Sequence, residues 1–473
     1  MADGKYDLVV IGGGSGGLTA AGFAGRIGLK VAVIEMELMG GDCTHFGCVP
    51  SKALLKVAKN AHTARKSAKY GVHVDNVRVD LAEVKRYVQE SINEVYQHET
   101  PEKFASKYGV EVIIGEARFV NKETVRVNER ELTAKRIIIA TGARPAFPPI
   151  EGLRDVPFHT YKTIFAETRA AEHLIIIGGG PIGIEMAQAH VRLGIPVTVI
   201  DAQMLVRDEP EVAEVMKSIL EYEGVRFVES FVESVRKDGD EIIVRPKTGE
   251  EVRGDMLLVV TGRTPIVDTL DLDNAGVKYS AKGIEVDKYL RTNVPNIYAV
   301  GDVIGGAQFT HNSGMQGSIA ARNALFPINS VGINEKTLPW VTFTEPEIGH
   351  VGLTEAQARE QHGDSAKTFF FSLKEGDRSV AEDDMEGFIK IIYKGSGNLL
   401  GVTIVANRAG EMLNEFTLAM DNNLSLRDLI GSMHAYPTYS DVSAKAISNL
   451  VIQELLGGFS GKVISQAKHI LPL

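Results

Sequence analysis

At 473 residues, with 44% hydrophobic and 24% charged residues, the chain has the make-up of an ordinary globular protein, too long for one core and sized for about three domains. Its formal charge of −10, with no Lys/Arg run, argues against a nucleic-acid partner, because phosphate-backbone binding depends on clustered cations. No apolar run is long enough to span a bilayer, and MADGKYD passes almost directly into strand-like LVVIGGG, which leaves no room for a signal or transit peptide. Two cysteines close together in a chain without others fit a reducing compartment, so a cytoplasmic location is the expectation.

The first predicted strand, Asp7 to Ile11, is short, β-branched and apolar, as a buried parallel strand should be. It runs into Gly12-x-Gly14-x-x-Gly17, then a helix-like stretch, then a second strand, KVAVIE, that ends at Glu35. The three glycines serve a tight turn, close backbone approach to a pyrophosphate, and close packing of helix on strand. Glu35 stands where an acid accepts a hydrogen bond from a ribose hydroxyl.

The only two cysteines of the chain, Cys43 and Cys48, follow at once in GGDCTHFGCVPSK. They are close enough to close a small disulfide ring. Pro50 suits a first helical turn, so a sulfur at Cys48 would feel the positive end of a helix dipole, which favours thiolate. A metal site needs more ligands than this pair offers, and no His/Cys cluster at zinc spacing accompanies it. The expectation is a redox-active dithiol with no bound metal.

The nucleotide pattern then recurs. HLIIIGGGPIGIEMAQAHVRLGIPVTVID places Gly178, Gly180 and Gly183 after one strand and Asp201 at the end of the next. Two dinucleotide sites in one chain imply an electron relay between a fixed cofactor and a diffusible one. A carboxylate at Asp201 accepts from a free 2′-hydroxyl and repels a 2′-phosphate, so NAD(H) is expected over NADP(H), with nearby Arg207 softening that preference. Ile137 to Pro145 and Leu257 to Pro265 each end an apolar strand in a Thr-Gly turn, and IYAV delivers Gly301-Asp302.

Taken together and in this order, these motifs resemble the pyridine nucleotide–disulfide oxidoreductases, the group that includes dihydrolipoamide dehydrogenase, glutathione reductase and mercuric reductase. The similarity runs nearly end to end, through GAQFTHN, VTFTEPEIGHVGLTE and HAYPTYSD. It implies an α/β fold with two Rossmann-like domains, for FAD and NAD, and an α+β C-terminal dimerisation domain. The implied divisions are 1–150 for FAD, 151–272 for NAD, 273–335 as the continuation of the FAD domain, and 336–473 for the homodimer interface.

By the same resemblance, Cys48 is the flavin-proximal sulfur that forms the charge-transfer thiolate, and Cys43 the interchange sulfur that meets the acceptor. Lys52 and Glu185 match an ion pair near the flavin. FAD contacts are implied at Gly12, Gly14, Ser15, Gly16 and Gly17, at Glu35, Gly41, Asp42 and Lys52, and at Ala117, Thr141 and Gly142. Asp302 and the run Gln308, Phe309, Thr310 and His311 would wrap its ribityl and pyrophosphate. The nicotinamide nucleotide would meet Gly178, Gly180, Pro181, Ile182 and Gly183, with Asp201 and Gly262.

The chain departs from the pattern near its end. Relatives acting on dithiols carry His-Pro-Thr, whose histidine comes from the other subunit and shuttles a proton at the interchange sulfur. Here Tyr436 occupies that place and Asp441 that of the following glutamate. Tyrosine, with a reference pKa of about 10, is a poor base at neutral pH beside imidazole at about 6.5. His434 and His45 are the candidates to substitute. The C-terminal vicinal cysteines through which a mercuric reductase passes its metal are missing from VISQAKHILPL.

The expected activity is therefore an FAD-dependent NAD(P)H:acceptor oxidoreductase of mercuric reductase-like type. Electrons would run from NADH through FAD and Cys43–Cys48 to a small-molecule acceptor such as a quinone, a metal ion or a small disulfide. The alternatives are a dihydrolipoamide dehydrogenase and a non-catalytic redox sensor. NEFTLAMDNNLSLRDL and SDVSAKAISNLVIQELL read as helices, EGFIKIIYKGSGNLLGVTIVAN as an antiparallel hairpin, and the closing GGFSGKVISQAKHILPL as a mildly amphipathic tail.

Overall fold

The computed structural model describes residues 5–457 apart from 168, 327 and 329, and the amphipathic tail lies outside the described residues. Among the described residues two compact units emerge, one running up to Gln203 with Glu223–Ile333, and the other Met204–Tyr222 with the stretch from Asn334 onward.

The first unit holds two parallel sheets. In one, the strands Glu111–Ile114, Val31–Glu35, Tyr6–Ile11 and Arg130–Ile139 lie side by side, followed by the antiparallel strands Thr124–Val127 and Ala117–Asn121. Val9, Val10, Val33 and Ile138 are buried, so both faces of these strands are covered and the sequence reads as unbroken aliphatics rather than as an alternation. Late in the unit the chain returns, and Ile297–Ala299 pairs in parallel with Ile137–Ile139. That return carries Asp302 and the helix Thr310–Leu325 to the first glycine loop. The second sheet orders Val225–Glu229, Val197–Asp201, Leu174–Ile177 and Met256–Val259, all parallel, with the helix Pro181–Arg192 between its inner strands in sequence.

The glycines of the two loops are demanded by sterics. Gly12 has φ +110°, and a Cβ there would lie 2.2 Å from the Ala140 carbonyl oxygen. One at Gly17 would lie 1.9 Å from the Gly12 oxygen, and one at Gly183 the same 1.9 Å from that of Gly178. No side chain fits, which is why both motifs carry glycine at the same places.

The second unit is α+β. Its five-stranded antiparallel sheet runs Pro339–Thr342, Glu347–Gly352, Leu399–Ala406, Phe388–Lys394, Ala366–Ser372, and the helices Ala409–Asp421 and Tyr439–Gly457 share its core through Phe416, Leu413, Ile447 and Leu450. The hairpin expected around Gly395-Ser396-Gly397 is present. The single helix expected over NEFTLAMDNNLSLRDL is not. The helix ends at Asp421, Asn423 takes φ +55°, and Ser425 starts a new turn, Leu426–Leu429, through a capping box with Asp428. Asparagine tolerates the left-handed region and serine prefers the cap, so local chemistry overrode the apolar spacing.

Sequence reading also missed Lys390. It is 3% exposed in the middle of a strand, and its ammonium reaches Glu209 at 3.0 Å, Glu211 at 2.7 Å and Glu355 at 2.9 Å. A buried cation demands such partners. Here they fasten the 204–222 segment to the sheet of this unit.

Candidate active site

The short helix Gly41–His45 and the helix Cys48–Lys66 carry the two cysteines, with Pro50 in the first turn of the longer helix. The thiols are within hydrogen-bonding reach of one another, with Cys48 the more exposed. The hydrogen bond to Cys48 pushes the Cys43 thiol up, and burial adds to it. The reciprocal bond holds Cys48 down to about 6 against the opposing effect of burial. The Thr310 hydroxyl, 3.4 Å from Cys48 Sγ, and the charge of Lys52 act in the same direction. At neutral pH the reduced pair is thus one thiolate, Cys48, and one thiol, Cys43, the state that suits disulfide exchange. Thr310→Val removes a donor to the thiolate, and the Cys48 titration should rise by about one pH unit, as thiolate absorbance at 240 nm would report.

Lys52 Nζ lies 2.8 Å and 3.0 Å from the two carboxylate oxygens of Glu185, which is 5% exposed. The pair joins the cysteine helix to the helix that opens at the second glycine loop. Thr310 begins a helix of 16 residues, so a positive helix end faces Cys48 as well.

The two loops repeat one another in detail. Glu35 Oε2 accepts from the Gly13 N–H at 2.6 Å, and Asp201 Oδ2 accepts from the Gly179 N–H at 2.6 Å. Each strand-end acid therefore braces its own loop, a contact with no signal in the sequence. At Gly180 an added Cβ would meet nothing within 4 Å, and at Gly14 only the Gly41 Cα at 3.8 Å. With glycine in place, both helix N-termini stay open to an anion, as a pyrophosphate requires.

Around the first loop, Ser15 Oγ donates to the Thr310 carbonyl, and Thr141 Oγ1 donates to that of Ile266. Gly142 has φ +71°. Ala117 is buried at the start of its strand, and Gly16 is buried in its helix. Asp302 pairs with Arg263 at 2.7 Å, and burial raises its carboxyl despite that cation. Arg263 also donates to the Gln308 carbonyl, and the rings of Phe309 and His311 stack at 5.5 Å. Beside the second loop, Pro181 and Ile182 form the first helical turn, and Gly262 takes φ +144°. Arg263, Tyr161 and Lys162 are the residues that sequence reasoning passed over; of these, Arg263 alone stood inside a noted stretch, Leu257 to Pro265.

His45 is buried, its Nε2 bonded to the Met39 carbonyl at 2.8 Å and its ring edge-on to Tyr96. It braces the cysteine loop. In the second unit, His434 Nε2 meets Glu415 at 2.8 Å and Nδ1 meets the Ser432 carbonyl at 3.1 Å, so both nitrogens are engaged with oxygen acceptors. Tyr436, 67% exposed, donates to Asp377 at 3.0 Å, and Asp377 also holds Lys445 at 2.9 Å. The Asp441 N–H donates to Thr438 Oγ1 in the first turn of its helix. Among the described residues no group of three or more His, Cys, Asp or Glu is arranged to hold a metal ion, and no helix is long and apolar enough to cross a membrane.

A cysteine pair poised as thiolate and thiol, set within a unit that also contains two dinucleotide-type sheets, defines the class of flavin-dependent disulfide oxidoreductases. The chain belongs to the pyridine nucleotide-disulphide oxidoreductase family, whose model matches residues 6–317, with the family's dimerisation domain at residues 338–447. It is 36% identical to a mercuric reductase of Bacillus cereus, over 92% of this chain and 70% of that one. It is 31% identical to a dihydrolipoyl dehydrogenase of Geobacillus stearothermophilus, over 93% and 95% of the two chains. Among solved structures it resembles a Cu(II) complex of the HOCl-induced flavoprotein disulfide reductase RclA from Escherichia coli, with a TM-score of 0.85 and 28% identity across 95% of this chain and 100% of that one. The chain is thus an FAD-dependent enzyme using a pyridine nucleotide, as the motifs implied.

Proposed function

We propose that the protein is a homodimeric NADH:acceptor oxidoreductase whose Cys43–Cys48 pair hands electrons to a thiophilic metal ion rather than to an ordinary dithiol. The carrying observation is the asymmetric pair, a Cys48 thiolate near pH 6 beside a Cys43 thiol, combined with an exposed Tyr436 where a proton-shuttling histidine would stand. FAD, held by the first loop with Asp302 and the 308–311 run, supplies a two-electron relay between nicotinamide and sulfur. The remaining steps belong to the chain. Two electrons open the Cys43–Cys48 bond, leaving Cys48 as thiolate and Cys43 protonated. Two Cu(II) ions taking one electron each become Cu(I), the S–S bond re-forms, and the Cys43 proton leaves to solvent. Metal reduction needs no proton delivered to a leaving thiol, so the lack of a histidine base is no obstacle. The mercuric reductases and the copper-bound neighbour support this acceptor class.

The test is NADH oxidation by the purified enzyme with Cu(II), Hg(II), a quinone and a small disulfide as acceptors, beside NAD⁺ reduction by dihydrolipoamide. Turnover with Cu(II) or Hg(II) well above that with the quinone and the small disulfide supports the proposal. Robust dihydrolipoamide turnover would instead make the protein a dihydrolipoamide dehydrogenase, the reading its similarity to such enzymes favours. For the nucleotide, Asp201 supports NADH, and kcat/KM should favour NADH over NADPH by at least about tenfold, a margin that Asp201→Asn should shrink.

A further inference from the structure

Gly41 and Gly14 approach so closely that a Cβ on Gly41 would lie 2.8 Å from the Gly14 Cα. The residue that follows Gly41 at this crossing, directly before Cys43, is an aspartate. A carboxylate beside a loop that takes a pyrophosphate is an electrostatic liability. The structure covers it with a dipeptide from far along the chain. Tyr161 Oη donates to Asp42 Oδ2 at 2.8 Å, and Lys162 Nζ stands 3.2 Å from Oδ1. Tyr161 is 5% exposed, and Lys162 lies also 3.8 Å from Glu37 and 5.2 Å over the Phe46 ring. Arg263 and Asp302, whose charges also act on Tyr161, neutralise one another.

We infer that Lys162 is the countercharge that makes Asp42 compatible with the FAD pyrophosphate, and that Tyr161 orients the carboxylate toward it. Both are positioning residues, acting through Asp42 on cofactor retention and on the cysteine loop. Each of the two contacts bridges a separation of about 120 residues in sequence and pins the segment running from Glu37 through Cys43 to Phe46. Lys162 adds a positive charge where the loop alone presents Glu35, Glu37 and Asp42.

The inference rests on the first loop holding FAD, which the same experiment checks separately. Deflavinated apoproteins of wild type, Lys162→Met, Asp42→Asn, Tyr161→Phe and the Lys162→Met/Asp42→Asn double variant are titrated with FAD by flavin fluorescence, with circular dichroism of each apoprotein as a fold control. Lys162→Met should weaken FAD binding by about tenfold or more, and the double variant should bind within about threefold of Asp42→Asn alone. Tyr161→Phe should cause a smaller loss. The Lys162→Met deficit should shrink at high salt, as a charge effect does and a packing defect does not. An unchanged affinity in Lys162→Met, or the same loss whether residue 42 is Asp or Asn, overturns the inference. A wild-type apoprotein that takes up no FAD would overturn the cofactor reading itself.

Discussion

Serine at position 48 should abolish the long-wavelength thiolate-to-flavin absorption of the reduced enzyme and lower turnover with any acceptor by at least about 10³-fold, since no disulfide can then store the electrons. Serine at position 43 should cost as much turnover yet keep the band. The two outcomes separate because the sulfurs have different protonation states: Cys48 is held down to about 6, whereas Cys43 is pushed up. The wild-type band should accordingly fade as pH falls through about 6 and be fully developed above it, the sign expected for a depressed acid whose charged form absorbs. Cys43→Ala should raise that midpoint, since the Cys43 hydrogen bond is the largest influence lowering it. A band that survives Cys48→Ser would reverse the assignment of the two sulfurs.

Neutralising the two members of the Lys52–Glu185 pair should move the same titration in opposite directions. Lys52 lowers the Cys48 pKa and Glu185 raises it. Lys52→Met should therefore shift the midpoint upward by about one pH unit, equivalent to about 1.4 kcal/mol, and cut the thiolate fraction at pH 7 from about nine-tenths to about half. Glu185→Gln should shift it downward. Lys52→Met also takes the ammonium from beside the Glu185 carboxylate, whose side chain is 7% exposed, but the Lys52 side chain is 36% exposed. The stability cost should fall between that of a surface pair and a buried one, about 1–2 kcal/mol, and appear as a lower Tm. Shifts of the same sign in both variants would show that the pair acts by packing rather than by charge.

What could be read ahead of any coordinates were the features whose geometry is local. The Gly12 and Gly178 loops are legible because the chain must turn through positive φ and pass a carbonyl oxygen too near for any Cβ. Cys43 and Cys48 announce themselves because both sit within a few residues, across one helix start. Where local signals compete, periodicity misleads, as in the helix that stops at Asp421. The pairings across long separations were not legible. Lys52–Glu185 came only from family resemblance, and nothing marked Lys162 as the partner of Asp42, Glu415 as that of His434, or three carboxylates as those of Lys390.

The amino-acid order by itself determined the nucleotide loops, the dithiol and the α/β class, because backbone sterics and burial on both faces of a strand act over a few residues at a time. Tertiary structure alone decided which charges from distant segments meet, and thereby the surroundings that tune the Cys48 sulfur already expected to ionise. The Cys48 thiolate depends first on the neighbouring Cys43, and beyond it on Thr310, brought by the strand that returns to pair with Ile137–Ile139, and on a lysine balanced by a glutamate from another helix. Charge interactions depend on distance and burial in space, and neither is encoded by neighbourhood along the chain.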